Sequence, residues 1–145
     1  MATFKSFEDI DAWKKARELT RYVYDVTSKR AFARDFMLRD QIRRASVSVM
    51  SNIAEGHGRG GRKEFLQFLS IALGSANEVG AQLYVALDQG YITDREFQLL
   101  AGLVRQTASL IGGLSRYLRT TSVSGTKFLG SRTGNQKPRT TNQQP

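Results

Sequence analysis

The residues of this chain best suited to chemistry are cations concentrated in one stretch. Residues 29–63 hold nine bases against three acids, a net charge of +6, while the whole chain of 145 residues carries +9. A surface that only has to stay solvated does not need its positive charge in one place, whereas phosphate binding does. The candidate phosphate contacts in this stretch are Arg39, Arg43, Arg44, Arg59, Arg62 and Lys63.

Side chains for catalysis or metal binding are scarce. His57 is the only histidine; no arginine precedes it at the spacing of small helical ribonucleases, and no obvious carboxylate pair stands elsewhere. No glutamate lies three residues before His57, as carboxylate-bridged metal sites in helix bundles require. Cysteine is absent, which excludes disulfides and thiolate sites. We expect no catalytic residue, no metal and no cofactor, and a helical ribonuclease is the enzyme alternative.

Four segments with apolar residues recurring every three or four positions are predicted to be helices. Ser6 can cap the first helix, and Thr93 with Glu96 forms the capping box of the fourth. The predicted helices begin near Phe7, Asp35, Arg62 and Asp94. Short connections between long helices favour antiparallel neighbours. The sequence therefore predicts an all-α, up-down-up-down antiparallel four-helix bundle over residues 1–119.

The turn between the second and third helices is rich in glycine. Gly56, Gly58 and Gly61 match G-x-G-x-x-G, but a dinucleotide site needs a strand before this motif, and here a helix comes first. We expect a glycine to end the second helix in a left-handed cap. The N-terminus of the third helix, with its neighbouring bases, is then a candidate anion site. A glycine turn with solvated bases is the alternative.

Two polar features of these helices have alternative interpretations. Arg44 stands four residues after Asp40 and is predicted to pair with it. Asn52, Glu55 and Glu78 lie near apolar faces of two adjacent helices, and they either form a hydrogen-bonded network that fixes the register or face water.

Apolar residues exceed what one bundle core needs. The second helix carries an extra strip of Val47, Met50 and Ala54, and the fourth carries Leu99, Leu103, Leu110 and Tyr117. Such surplus strips predict a homo-oligomer. No apolar run is long enough for a membrane span and the N-terminus lacks a signal pattern, so a cytoplasmic protein is expected. Residues 120–145 are predicted to be a disordered basic tail.

The segments DAWKKARELT, DQIRRASVSVMSNIAEGHGR and KEFLQFLSIALGSANE resemble the bacterial large-subunit ribosomal RNA intervening-sequence proteins. The resemblance covers residues 4–119 and implies a four-helix bundle that assembles as a homopentameric ring. That family is also similar to the accessory variability proteins of diversity-generating retroelements. This second similarity implies a basic pentamer that binds nucleic acid and a reverse transcriptase.

The prediction for function is a non-catalytic, basic, oligomeric protein that binds RNA or DNA. Its partners would be further copies of itself, nucleic acid and a reverse transcriptase or ribosomal RNA. The alternative is a structural or adaptor oligomer that binds a protein, with its bases serving solubility. Salt separates the two, because binding to a polyanion weakens steeply as salt rises.

Overall fold

The computed structural model describes residues 4–121, and over that range the chain is helical without strands. Two 3₁₀ turns, Phe7–Asp9 and Arg30–Arg34, precede the first and second α-helices. The α-helices are α1 (Asp11–Thr27), α2 (Phe36–Gly58), α3 (Arg62–Asp88) and α4 (Asp94–Thr120). The predicted all-α class with four helices is confirmed. Of the predicted tail, only Thr120 and Thr121 fall within the described residues.

Successive helices are antiparallel, and each packs against two neighbours. α1 and α3 both contact α2 and α4. Ser48 on α2 lies beside Ser75 on α3, and further along α2 Gly56 faces Phe65, so residue numbers rise along one helix as they fall along the other. The bundle therefore runs up-down-up-down. We call the end with the C-termini of α1 and α3 the upper end, and the opposite end the lower end.

The buried apolar side chains form one cluster in each half of the bundle. Burying a large apolar side chain completely contributes about 1.5–3 kcal/mol, so these clusters dominate the stability. Phe32 is fully buried in the upper cluster, although its neighbours read as a polar break in the sequence. The upper cluster includes Val23, Phe32, Leu38, Leu83 and Leu100, and the lower one includes Ile10, Ile53, Phe65, Leu69 and Leu118.

Asp35 joins the two connections at the upper end. One of its carboxylate oxygens accepts the backbone N–H of Leu38 at 3.1 Å and caps α2, which begins one residue after the predicted start. The other oxygen accepts the hydroxyl of Tyr91 at 2.9 Å, and the Tyr91 ring stacks on Phe32 with centroids 5.2 Å apart. This hydrogen bond to Asp35 is the main reason that the pKa of Tyr91 is raised. The α3–α4 connection is thereby held against the start of α2.

The first helix does not begin where the sequence predicted. Phe7 opens a 3₁₀ turn, which the Asp9 carboxylate closes by accepting the backbone N–H groups of Lys5 at 3.2 Å and Ser6 at 3.4 Å. The chain is extended at Ile10, and α1 starts only at Asp11. The cause is Ile10 itself, which bends inward and is 1% exposed in the lower cluster.

A glycine ends α2 in a left-handed conformation, as predicted. α2 continues through Gly56 and Gly58, and the left-handed backbone conformation, φ +85°, falls at Gly60. Gly56 has a packing role instead. A Cβ added there would lie 2.8 Å from Cβ of Phe68 and 2.9 Å from Cδ1 of Phe65, which is closer than side chains approach in proteins. Gly56 thus lets α2 and α3 come together at the lower end.

Substitution Gly56→Ala tests this close approach. We expect it to lower the free energy of unfolding by about 1–3 kcal/mol, because the added methyl group overpacks the contact with Phe65 and Phe68. Gly102→Ala is the matched control, since a Cβ there meets only Nη2 of Arg105 at 3.8 Å. The control should gain up to about 1 kcal/mol from helix propensity. Urea denaturation of both variants measures the difference, and a stabilised Gly56→Ala would contradict the packing role.

Substitution Tyr91→Phe tests the bond to Asp35 through its pH dependence. The raised pKa means that the folded state favours the protonated phenol, which contributes stability below the ordinary value of about 10 and loses it as the pH rises through the folded-state pKa. The melting temperature of the wild type should therefore fall more steeply than that of the variant as the pH rises above about 10. Tyr84→Phe, at an exposed tyrosine, should keep the wild-type slope. Equal slopes for wild type and Tyr91→Phe would refute this interpretation.

Candidate nucleic-acid interface

The six predicted cations lie at two separate places on the bundle. Three occupy the first half of α2, near the upper end: Arg39, Arg43 and Arg44, the upper cation group. Three surround the α2–α3 turn at the lower end: Arg59, Arg62 and Lys63, the lower cation group. The helix between Arg44 and Arg59 is about 22 Å long at about 1.5 Å per residue. The structure therefore presents two small basic areas and not one continuous patch.

Arg43, in the upper cation group, holds α2 against the end of α1. Its Nε donates to Oγ1 of Thr27 at 2.8 Å, its Nη2 donates to Oγ of Ser28 at 3.2 Å, and its guanidinium lies 4.5 Å from the ring centre of Tyr24. The C-terminus of a helix carries a partial negative charge, so this position also favours the cation electrostatically.

The predicted ion pair between Arg44 and Asp40 is wrong. Asp40 pairs with Arg39, whose Nε lies 2.9 Å from Oδ1. Asp40 pairs with Arg39 and not with Arg44 because two further contacts hold Arg39 in place. Its Nη1 donates to the carbonyl of Ala33 at 3.1 Å, and its guanidinium lies over the ring of Phe36. Arg44 is left exposed, and within residues 4–121 it has no ion pair or side-chain hydrogen bond.

The lower cation group also contains both cations held by contacts within the bundle and a free one. Arg62 donates from Nη1 to the carbonyl of Leu118 at 3.2 Å, which joins the start of α3 to the last turn of α4. Arg59 binds Oε2 of Glu55 through Nε and Nη2 at 3.1 and 3.0 Å and lies over the ring of Phe68. Lys63 is exposed, and the described part of the chain offers it no ion pair or hydrogen bond.

A carboxylate of the chain itself lies at the predicted anion site. A Cβ built on Gly61, the residue that caps α3, would be 2.7 Å from Oε1 of Glu64. The Glu64 side chain therefore folds over the first turn of α3, where its negative charge suits the partial positive charge of the helix N-terminus. An external phosphate at this point would have to displace Glu64, so the first turn of α3 is a weaker anion site than the sequence suggested.

The three residues of the predicted polar network are not bonded to one another. Asn52 donates from Nδ2 to the carbonyl and Oγ of Ser48 at 2.8 and 3.0 Å. Glu55 pairs with Arg59, and Glu78 accepts from Nε2 of Gln82 on its own helix at 3.2 Å. The bond that crosses from α2 to α3 is Ser48 to Ser75, with oxygens 2.9 Å apart. Only the small polar side chain at position 48 hinted at this contact in the sequence.

Exposed apolar side chains lie mostly on the outer surface of α2 and α3. Val47 is the residue before Ser48 on α2, and Ile71 lies one turn before Ser75 on α3; they are 39% and 52% exposed. Of the two strips predicted from sequence, Met50 packs partly against the lower cluster and Leu103 is buried in the upper one, while Leu99 is exposed. The sequence analysis did not single out the exposed apolar residues of α3. We define the α2–α3 face by three exposed residues: Val47 on α2, and Ile71 and Val85 on α3.

The only histidine of the chain has a structural environment. His57 is buried, its Nε2 lies 3.3 Å from the carbonyl oxygen of Phe4, and its ring meets Phe65 edge to face. Among residues 4–121, no three side chains of His, Cys, Asp or Glu are grouped so that they could hold a metal ion. No helix in the same range is both long and apolar enough to span a membrane.

Comparison with known proteins identifies relatives of this bundle. The profile of a family described as 23S rRNA-intervening sequence protein matches residues 8–113. A similar solved structure is that of a protein with unknown function from the S23 ribosomal protein family of Bacteroides thetaiotaomicron. It is 24% identical in sequence with a TM-score of 0.67, and the match covers 72% of this chain and 95% of that one. This likeness shows the fold, and no curated protein matches the chain.

Proposed function

Because this chain belongs to the 23S rRNA-intervening sequence protein family, we propose that it is a non-catalytic protein that binds nucleic acid as a homo-oligomer. The observation that carries the proposal is positive charge that the fold does not neutralise. Arg44 and Lys63 are exposed, and neither has an ion pair within the described residues. A phosphate backbone supplies the charges that such cations lack. Since ribosomal RNA is cytoplasmic in bacteria, a cytoplasmic location belongs to the same proposal.

The anchored arginines of the two cation groups can assist the free cations. A guanidinium has five N–H donors, and Arg43 and Arg62 use only some of them inside the bundle. Arg39 and Arg59 are partly neutralised by Asp40 and Glu55, so they contribute less. Contacts of this kind position a phosphate backbone without reading bases, and RNA and DNA are both candidate ligands.

The absence of catalysis is part of the proposal. General acid–base chemistry needs a group that can reach a substrate, and His57 is covered by Phe4 and Phe65. The surface cations offer electrostatic attraction to a phosphate backbone. Binding, without turnover, is the role that this surface supports.

Self-association is proposed to use the α2–α3 face. Val47, Ile71 and Val85 expose apolar area that the bundle core does not cover, and association would remove this area from water. A homopentameric ring is the assembly we propose, from the resemblance of the sequence to families with that arrangement. A ring would repeat Arg44 and Lys63 around its axis and multiply the attraction for one nucleic-acid strand. By the same resemblance, a reverse transcriptase is a candidate protein partner.

The same apolar face supports a second candidate function, an adaptor that binds another protein. In that case the α2–α3 face would contact the partner, and the cations would only keep the oligomer soluble. Salt distinguishes the two functions, because an apolar interface tolerates salt and phosphate contacts do not.

Charge reversal at the two free cations tests nucleic-acid binding. The variant Arg44→Glu/Lys63→Glu should bind structured RNA more weakly, and the slope of log affinity against log salt should fall by about 1.4–1.8 if each residue neutralises one phosphate. Arg43 and Arg62 are unsuitable for this purpose, because reversing them also removes hydrogen bonds that hold α1 and α4. Electrophoretic shift at two or more salt concentrations measures the slope.

The matched control is Arg17→Glu/Arg21→Glu, which changes the net charge equally at exposed positions on α1. It should retain most of the affinity. If both double variants lose affinity alike, the effect is one of net charge and the assignment to Arg44 and Lys63 is wrong. If the wild type binds no nucleic acid at low salt, the proposed function fails and the adaptor replaces it.

Substitution Ile71→Glu tests the α2–α3 face. A carboxylate at the centre of this apolar surface should dissociate the oligomer toward the single chain of 16.2 kDa, because burying an unpaired charge is costly. Light scattering coupled to size exclusion measures the mass. Leu99→Glu, at an exposed apolar residue of α4, should leave the assembly unchanged. Dissociation by the Leu99 variant alone would assign the interface to α4.

A further inference from the structure

A surface groove follows the line where α1 and α4 meet, on the side of the bundle away from the α2–α3 face. It consists of two hollows that share Ser109 and Leu110. The hollow toward the lower end has a volume of about 260 Å³ and the next one about 430 Å³. We call the pair the α1–α4 groove. It contains none of the six cations predicted from sequence.

The larger hollow is basic. It is lined by Lys15 of α1 and by Arg105, Gln106, Ser109 and Leu110 of α4. Arg105 is exposed, and no ion pair engages it in residues 4–121. Lys15 lies 3.0 Å from Glu18, but an ammonium group has three donors and can bind a second oxygen. The hollow therefore offers two cations, an amide and a hydroxyl to an anionic chain.

The charge of α4 continues beyond this hollow. From Phe97 to Thr121 the helix contains three arginines, Arg105, Arg116 and Arg119, and no acid. The Arg116 side chain lies along its own helix toward Gly112. A Cβ built on Gly112 would be 3.5 Å from Nη1 of Arg116. Arg105 and Arg116 are three turns apart and so point the same way, with about 16 Å of helix between them. An extended phosphate backbone can follow such a row.

The smaller hollow is mostly apolar and has two aromatic side chains. Phe4 and Tyr117 line it together with aliphatic residues and Gly113. Its volume of about 260 Å³ has room for a planar ring. Its carboxylate, Asp11, is exposed and 3.9 Å from Lys14. That carboxylate can accept a hydrogen bond from a base amino group.

We infer that the α1–α4 groove binds single-stranded nucleic acid, with Arg105 and Lys15 on the phosphates and a base in the hollow of Phe4 and Tyr117. Cations that follow a backbone beside an aromatic surface that accepts bases are the two elements of single-strand binding. In a duplex the bases are stacked inside and cannot enter the hollow. The inference rests on the proposed nucleic-acid function and adds a second contact site and the strand state.

The test compares two variants of the full chain on three probes. The probes are oligouridylate, the same phosphate backbone with abasic residues, and an RNA hairpin of equal phosphate number. Arg105→Glu should weaken oligouridylate binding about tenfold and lower its salt slope by about 0.7. Tyr117→Leu, which keeps the apolar bulk, should weaken it about fivefold or more without changing the salt slope. The wild type should bind the abasic probe more weakly than oligouridylate. Tyr117→Leu should bind these two probes with nearly equal affinity.

Two substitutions serve as matched controls. Arg95→Glu changes an exposed arginine at the upper end of the same helix, and Tyr84→Leu changes an exposed tyrosine of α3. Both should bind oligouridylate like the wild type. Circular dichroism of all four variants checks that they are folded, and a competition with polyglutamate checks that the groove prefers nucleic acid to an acidic polypeptide.

The outcomes separate the inference from the function on which it rests. If Arg44→Glu/Lys63→Glu abolishes binding while both groove variants bind like the wild type, the function stands and the groove is wrong. If the hairpin binds as tightly as oligouridylate and responds equally to Tyr117→Leu, single-strand binding is wrong. Dissociation of the oligomer by Tyr117→Leu would make the groove a subunit contact, and efficient competition by polyglutamate would assign it to an acidic protein. If the wild type binds none of the probes, both proposals fall.

Discussion

The close approach of α2 to α3 at Gly56 is the contact that the remaining geometry depends on. Because Gly56 has no side chain, Phe65 and Phe68 lie directly against the backbone of α2. That contact fixes how the two helices are aligned, and Ser48 then meets Ser75 two turns further up. The same alignment sets where α3 begins, and so allows Arg62 to reach the carbonyl of Leu118 on α4. Helices from three corners of the bundle are thus held relative to one another at the lower end.

Arginine has two different roles in this bundle, and the distinction decides what a partner can use. Arg43 and Arg62 each bind at the C-terminal end of another helix, where unpaired carbonyls and the helix dipole favour a cation. These residues stabilise the fold whether or not a ligand is present. Arg44, Lys63 and Arg105 have no such contact within residues 4–121, and they are among the cations available for an external anion. A count of bases in the sequence merges these two roles, and only the structure separates them.

Local rules predicted the fold well where one residue determines the outcome. The capping box of Thr93 with Glu96 forms at the start of α4, because each of its two hydrogen bonds joins groups only three residues apart. Prediction was wrong where distant packing decides between local options. Burial of Ile10 delays the start of α1. Competition between Arg39 and Arg44 for Asp40 depends on the carbonyl of Ala33, which no spacing rule includes.

The candidate site was harder to predict than the fold for a related reason. Sequence shows the surplus of bases in residues 29–63, but it does not show that α2 separates them by several turns or that Glu64 covers the first turn of α3. The α1–α4 groove is built from residues of opposite ends of the sequence, such as Lys15 and Arg105 or Phe4 and Tyr117. A short stretch of the sequence therefore contains only one side of this groove. The acid-free run of α4 was the signal that could have directed attention there.

The order of the helices around the bundle makes the two proposed activities compatible. α2 and α3 are neighbours, α1 and α4 are neighbours, and in a four-helix bundle these two pairs lie on opposite sides. An oligomer formed through the α2–α3 face would therefore leave every α1–α4 groove open. Each added chain would bring another groove to the same strand, and linked sites bind a polymer more tightly than separate ones do. A weak single groove is then sufficient, because assembly rather than a larger site supplies the affinity.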